Sequence, residues 1–326
     1  MKILITGANG FIGSSLVKYL TEDYKINILI RKTSNVEKIS NVINKTKVYY
    51  GDIRFKETLV EPIKDSDIVI HTAAVLRCIK NTTYFEVNHV GTKNLVDVIL
   101  QHGKNIKGII YISSLAAFGP STIYTSVKTS EENPVSFYGK SKLLAEKEVL
   151  RCKDKITTII LRPSAVYGPY DKDMFLYFKL AKSGILPYFS KNFSIQFTYI
   201  KDLIKVIKKI LENFNKFKSE VFFVAEEKCY SIFELRDILS KIIGKKILLV
   251  RIPYFIAYLY ALLNEKLSSV LFKKAAVFNT DKLRELSYSC WRCFSGDILK
   301  YISFKYTEFQ KGAFETYLWY KQNGWL

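Results

Sequence analysis

Residues Met1 to Gly13 read MKILITGANGFIG: an apolar run from Lys2 to Thr6, then glycines at 7, 10 and 13 with Asn9, Phe11 and Ile12 between them. Just beyond, Ile12, Leu16, Tyr19 and Leu20 recur at helical spacing, so the stretch spells strand, tight turn, helix. Glycine is needed where a turn tightens, where backbone must approach a bound group, and where a helix packs closely on a strand. The opening turn of a helix adds free N–H groups and the positive end of a dipole, which together hold phosphate. Gly7, Asn9, Gly10, Phe11, Ile12 and Gly13 are therefore read as the cradle of a dinucleotide pyrophosphate. Three glycines alone would say little. Their place at the first strand-to-helix turn of an alternating chain gives them weight.

That alternation continues through the first half. Lys25–Ile30, Lys47–Tyr50, Asp67–Thr72, Gly108–Ser113 and Thr157–Arg162 read as further strands, and runs such as IVIH and IIYIS suit strands buried on both faces. Asn88–Leu100 and Tyr138–Leu150 read as helices between them. The pattern predicts an α/β chain with a doubly wound parallel sheet of the Rossmann kind, its ligand at the carboxyl ends of the strands. After Gly168 the sequence turns aromatic-rich and less regular, with a return to the sheet at Val221–Val224. The expected division is a cofactor-binding unit of residues 1–166 and 195–224, and a smaller substrate-binding portion of 167–194 and 225–326.

The second strand ends in Arg31 and Lys32, with no carboxylate at its tip. An acid there would meet a free ribose 2′-hydroxyl, whereas a base suits a 2′-phosphate. NADP(H) is thus the expected cofactor and NAD(H) the open alternative.

Tyr138-Gly-Lys-Ser-Lys142 opens a helix, and the i, i+4 spacing puts phenol and ammonium on one face. A cation nearby would lower the phenol pKa and let Tyr138 exchange a proton with a substrate oxygen as hydride moves. Upstream, Tyr111-Ile-Ser113-Ser114 ends a strand at the same sheet edge, where a hydroxyl could hold that oxygen.

With these residues in place, the chain resembles the extended short-chain dehydrogenase/reductases, the superfamily of nucleotide-sugar epimerases, dehydratases and related reductases. The motifs that carry the resemblance are TGANGFIG (6–13), GDI (51–53), HTAA (71–74), VNHVGTKNL (87–95), SSLAAFG (113–119), YGKSK (138–142), LRPSAVYGP (161–169) and WYKQNGWL (319–326). The resemblance implies that Asp52 and Ile53 flank the adenine, that Ala73 and Ala74 line the cofactor cleft, that Ser114 is the catalytic hydroxyl, and that Pro163 to Val166 pass the nicotinamide. Two departures from the family narrow the chemistry. Leu115 and Ala116 stand where the 4,6-dehydratases carry an Asp-Glu pair, so dehydration is not expected. Ile195 stands where sugar-nucleotide members tend to carry a diphosphate-clamping arginine.

The preferred reading is an NAD(P)(H)-dependent oxidoreductase that interconverts a ketone and a secondary alcohol. A nucleotide-sugar epimerase that keeps its NAD is the alternative, and a non-catalytic NAD(P)-sensing protein is the third reading, since fold alone does not fix function. The expected partner is a small-molecule substrate, a ketone or alcohol or a nucleotide sugar, and not nucleic acid. Helices on the sheet faces offer a surface for a homodimer.

The 326 residues carry a formal charge of +20, which could attract nucleic acid, an anionic membrane surface or phosphorylated substrates. Much of that excess falls on helices such as Asp202–Lys218, where it reads as a solvated face. Five scattered cysteines are expected to be free thiols in a reducing, cytoplasmic setting, and Cys290-Trp-Arg-Cys293 lacks a second pair to make a metal site. The apolar run Ile252–Leu263 (IPYFIAYLYALL) is a dozen residues long, so it is read as a core or interface helix, not as a transmembrane segment.

Overall fold

The computed structural model describes residues 1–121 and 131–326. Seven strands form one wholly parallel sheet: β1 (Lys2–Thr6), β2 (Lys25–Ile30), β3 (Thr46–Tyr50), β4 (Ile68–His71), β5 (Gly108–Ile112), β6 (Thr157–Pro163) and, last, Ser219–Val224. Their order is β3, β2, β1, β4, β5, β6 and then Ser219–Val224. The direction of growth reverses between β1 and β4, and a crevice opens there at the carboxyl ends of the strands.

Both faces of this sheet are covered, which explains the unbroken apolar runs. Successive side chains of β1 alternate between two cores: Ile3 and Ile5 join Leu16, Val17 and Ile207 on one side, and Leu4 joins Val96, Ile99 and Ala145 on the other. The first core is closed by the helices Phe11–Leu20 and Ile200–Glu212, which pack on each other, and the second by Gly91–His102 and Phe137–Val149. Along Ile200–Glu212, Leu203, Ile207 and Ile210 face inward while Lys201 and Lys205 stay exposed, so the lysines there do form a solvated face. Smaller strand pairs follow the sheet: Ala165–Tyr167 with Phe197–Tyr199, and Ile185–Tyr188 with Leu248–Arg251. All five cysteines are free.

The apolar run after Ile252 departs from its expected form. It belongs to a 19-residue helix, Tyr254–Phe272, and only Ala257 and Ala261 of that helix are buried, so it is not a core helix. The polar residues Asn264 and Glu265 do not end it, because both are satisfied against the chain that follows. Asn264 Nδ2 donates to Phe278 O (2.7 Å), and a Glu265 carboxylate oxygen accepts from Thr280 N (2.7 Å). By length and composition this helix could cross a membrane.

Candidate active site

The glycine turn lies at the β1/β4 switch point. Gly7 has φ +69°, and a Cβ there would stand 2.7 Å from Ala73 Cα, so the β1 turn and the segment after β4 touch backbone to backbone. At Gly13 a Cβ would fall 2.2 Å from Gly7 O and 2.9 Å from Thr72 Oγ1, which fixes why the helix can sit so close to the turn. Gly10 is the exposed residue that starts the helix Phe11–Leu20; no side chain caps that end and its first turn carries no acid. Asn9, Phe11 and Ile12 surround it, half-buried. Ala73 and Ala74 continue from β4, and Ala73 N donates to Thr6 Oγ1 (3.3 Å).

At the other end of the crevice, Arg31 and Lys32 are exposed directly after β2. Asp52, after β3, is gripped by Arg54, whose Nε and Nη2 donate to its two carboxylate oxygens at 3.0 and 2.7 Å. That grip, with the charge of Arg31 also felt, holds the Asp52 carboxyl below its usual range. Ile53 is buried against Gly91, where a Cβ would come within 2.7 Å of it. Pro163 closes β6, buried, and Val166 follows in Ala165–Tyr167.

The serine pair after β5 is divided by its surroundings. Ser113 is buried and bonded to Glu146, which is in turn held by Arg162 (Nη2 to Oε2, 2.6 Å). Ser114 instead caps the short helix Leu115–Phe118, accepting from Ala116 N (3.1 Å), and lies close enough to the Tyr138 phenol to favour its ionised form. Ser114 and Tyr138 are thus brought together, with Lys142 one turn further along the Tyr138 helix.

Lys142, however, does not lower the phenol pKa. Burial and the charge of Glu285 push Tyr138 up to about 12, opposed by Ser114 and Lys282. The Lys142 ammonium donates to Ile112 O (2.7 Å) and lies 4.2 Å from the Tyr111 ring centroid, and its own burial brings it down to about 7. The expected depression of the phenol therefore gives way to two opposed shifts from one cause: removal from water disfavours the charged form of each group.

Sequence reasoning did not assign the wall of the cavity above Tyr138. Arg77, Tyr84, Asp173, Lys282 and Glu285 line it. Arg77 pairs with Asp173, and Lys282 reaches Glu285 at 3.0 Å. From the same short helix, Thr280–Leu286, Asp281 accepts from Phe137 N (2.7 Å) and Tyr138 N (3.1 Å), while Glu285 accepts from Ser136 Oγ (2.7 Å). The first turn of the Tyr138 helix is thereby held by residues some 144 positions away. Asn88, fully buried in a π-helical turn, ties the Val75 backbone (2.8 Å) to Ser141 (2.9 Å). Only the buried polar residue in a helical pattern hinted at that role.

Residues 3–225 match the NAD dependent epimerase/dehydratase family. A UDP-glucose 4-epimerase of Vibrio cholerae is 32% identical over 239 residues, 69% of this chain and 70% of that protein. A ceramide reductase of Caulobacter vibrioides is 26% identical over 326 residues, 99% of this chain and 96% of that protein. Among solved structures, a UDP-glucuronic acid 4-epimerase from Bacillus cereus, in complex with UDP-glucuronic acid and NAD, superposes with a TM-score of 0.77 at 23% identity. That superposition covers 99% of this chain and 100% of the other. With the glycine turn at the sheet's switch point and a match through most of its length, this chain belongs to the NAD-dependent epimerase/dehydratase family, of the extended short-chain dehydrogenase/reductase type.

Proposed function

We propose that the protein is an oxidoreductase that reduces a ketone to a secondary alcohol, and the reverse, with NADP(H) preferred over NAD(H). The observation that carries this reading is the span of the ceramide reductase likeness. It runs through 99% of the chain, the substrate-side wall included, whereas the UDP-glucose 4-epimerase likeness covers 69%. Ile195, in place of a diphosphate-clamping arginine, and the basic tip at Arg31 point the same way.

The residues fit a nicotinamide dinucleotide. Gly7 and Gly13 leave no room for side chains, and the uncapped, acid-free start of Phe11–Leu20 offers N–H donors to a pyrophosphate. When bound, such a cofactor supplies or takes up hydride at the carbon that bears the substrate oxygen. Ser114 holds that oxygen and Tyr138 moves the proton. A phenol at about 12 keeps its proton at neutral pH, which suits donation to a carbonyl. Lys142, poised near 7, can bring positive charge to the cofactor ribose and the phenol when it turns from Ile112.

The test compares two incubations of the purified protein: NADPH with a ceramide-type ketone in detergent micelles, and NAD with UDP-glucose. The reductase forms one alcohol per NADPH oxidised. Conversion of UDP-glucose to its 4-epimer with no net change in cofactor would replace this reading with the epimerase, which the 32% identity to a UDP-glucose 4-epimerase favours.

A further inference from the structure

The helix Tyr254–Phe272 presents an outer apolar face that none of the described residues covers. Phe255, Leu259, Leu263 and Val270 share that face, and they are 64, 55, 60 and 74% exposed. Scattered exposed apolar residues are ordinary, but a continuous stripe along a helix of about 28 Å marks a surface that meets something. Its inner face is pinned. Ala257 and Ala261 pack with Leu283, Asn264 bonds Phe278, and Glu265, the helix's one acid, is taken by Thr280. With its side fastened from Ala257 to Glu265, the helix lies against the protein, and spanning a bilayer would break those contacts.

The charges around the stripe are basic. Arg251 precedes the helix, Lys266 is exposed on the outer face itself, and Lys273 and Lys274 follow its end. A second copy of the chain on this face would bring these cations together in a molecule of net charge +20, and lysine is depleted in such interfaces. An anionic lipid surface neutralises them instead, and a lysine stem can lie along apolar surface with its head among phosphates. Exposed Tyr254, Tyr258 and Tyr260 are of the type enriched at the boundary between acyl chains and headgroups.

We propose that Tyr254–Phe272 docks the protein on the surface of an anionic lipid bilayer, lying in the interfacial plane with its outer face among the acyl chains. This inference does not rest on the ketone-reductase reading. It does place the bilayer one helix away from the chemistry, because Leu283 belongs to the same Thr280–Leu286 that grips the Tyr138 helix.

Flotation of the full chain with vesicles tests it, using phosphatidylcholine alone and phosphatidylcholine mixed with phosphatidylglycerol. The protein should float with the anionic vesicles and release under alkaline carbonate. A double variant, Leu259→Glu with Leu263→Glu, should bind them at least about tenfold more weakly while its affinity for NADPH is unchanged. If that variant fails to bind NADPH, the charge reversal Lys266→Glu with Lys273→Glu and Lys274→Glu should abolish the preference for anionic vesicles. Three results overturn the proposal: wild-type protein that stays at the bottom with both vesicles, binding that survives the substitutions or ignores lipid charge, and resistance to carbonate, which would mean a spanning helix. A wild-type dimer that the double variant dissociates, with no vesicle binding, assigns the face to a second copy instead.

Discussion

The two walls of the crevice are built by different means. On the cofactor wall, a thirteen-residue segment makes the turn, and backbone crowding at Gly7 and Gly13 dictates the residue type. On the substrate wall, Thr280–Leu286 reaches across the chain to hold the first turn of the Tyr138 helix with Asp281 and Glu285. One wall is a local motif, constrained by the close approach of backbone to backbone. The other is a polar contact between residues far apart in the chain. If this contrast is right, substitutions on the two walls should separate cofactor binding, chemistry and stability.

Tyr138, where the walls meet, should give the largest effect. Tyr138→Phe removes only the proton carrier, so turnover should fall by about 100-fold or more with cofactor affinity kept. Steady-state rates of the purified variant, beside a cofactor titration, check this. Turnover within about threefold of wild type would remove Tyr138 from the acid/base role.

Next comes the cofactor wall's basic tip. A guanidinium forms paired hydrogen bonds with a 2′-phosphate that a hydroxyl cannot match. Arg31→Ala should therefore weaken NADPH by about 10- to 150-fold, the scale of roughly 1.5 to 3 kcal/mol, and leave NADH nearly unchanged. Calorimetry with both cofactors reads the difference. Equal wild-type affinity for NADH and NADPH would make Arg31 and Lys32 a solvated pair.

A pH dependence sharpens the role of Lys142. Burial brings its ammonium down to about 7, so the charged form dominates below that pH and is lost above it. Tyr138 keeps its proton throughout, with its pKa at about 12. The kcat/KM for NADPH should then fall by up to about tenfold per pH unit above 7, a limb that belongs to the free enzyme's lysine. Lys142→Arg, charged at every accessible pH, should flatten the limb even if it lowers the plateau. An unchanged limb in that variant would assign it to another group.

The same contrast explains what could be read in advance. The inner strands are legible because they are buried on both faces, and β1 and β2 begin and end where the apolar runs do. Gly7 and Gly13 were legible because no other residue fits. By contrast, the Ser113–Ser114 choice came from resemblance, and its physical reason, the Arg162–Glu146 pair that engages Ser113, lies in residues no local pattern connects. The direction of the Tyr138 shift is not legible, because spacing fixes which face a lysine shares, not where its flexible stem points. The continuation of the apolar helix past Asn264 is not legible, because the partners that satisfy its polar residues, Phe278 and Thr280, are tertiary.

The smallest effect should come from the grip itself, and it separates capping from charge. Asp281 is buried, and desolvation holds its carboxyl above the usual range despite the two N–H groups it accepts from. Raised pKa means that ionisation is disfavoured in the folded protein, so the charge adds little to the cap. Asp281→Asn avoids that burial of charge and keeps the acceptor for one N–H, but turns an NH2 toward the other, so it should cost about 1 kcal/mol, less than the loss of both acceptors. Asp281→Ala leaves the N–H groups of Phe137 and Tyr138 without their acceptor in a largely buried place, and should cost about 1 to 3 kcal/mol. Urea denaturation of the three proteins measures the two steps. Wild-type stability in both variants would show that water replaces Asp281 at no cost, and Thr280–Leu286 would then be a neighbour of the Tyr138 helix, not its clamp. A loss in Asn as large as in Ala would show that one acceptor oxygen alone does not hold the turn, and that the clamp needs both oxygens of the carboxylate.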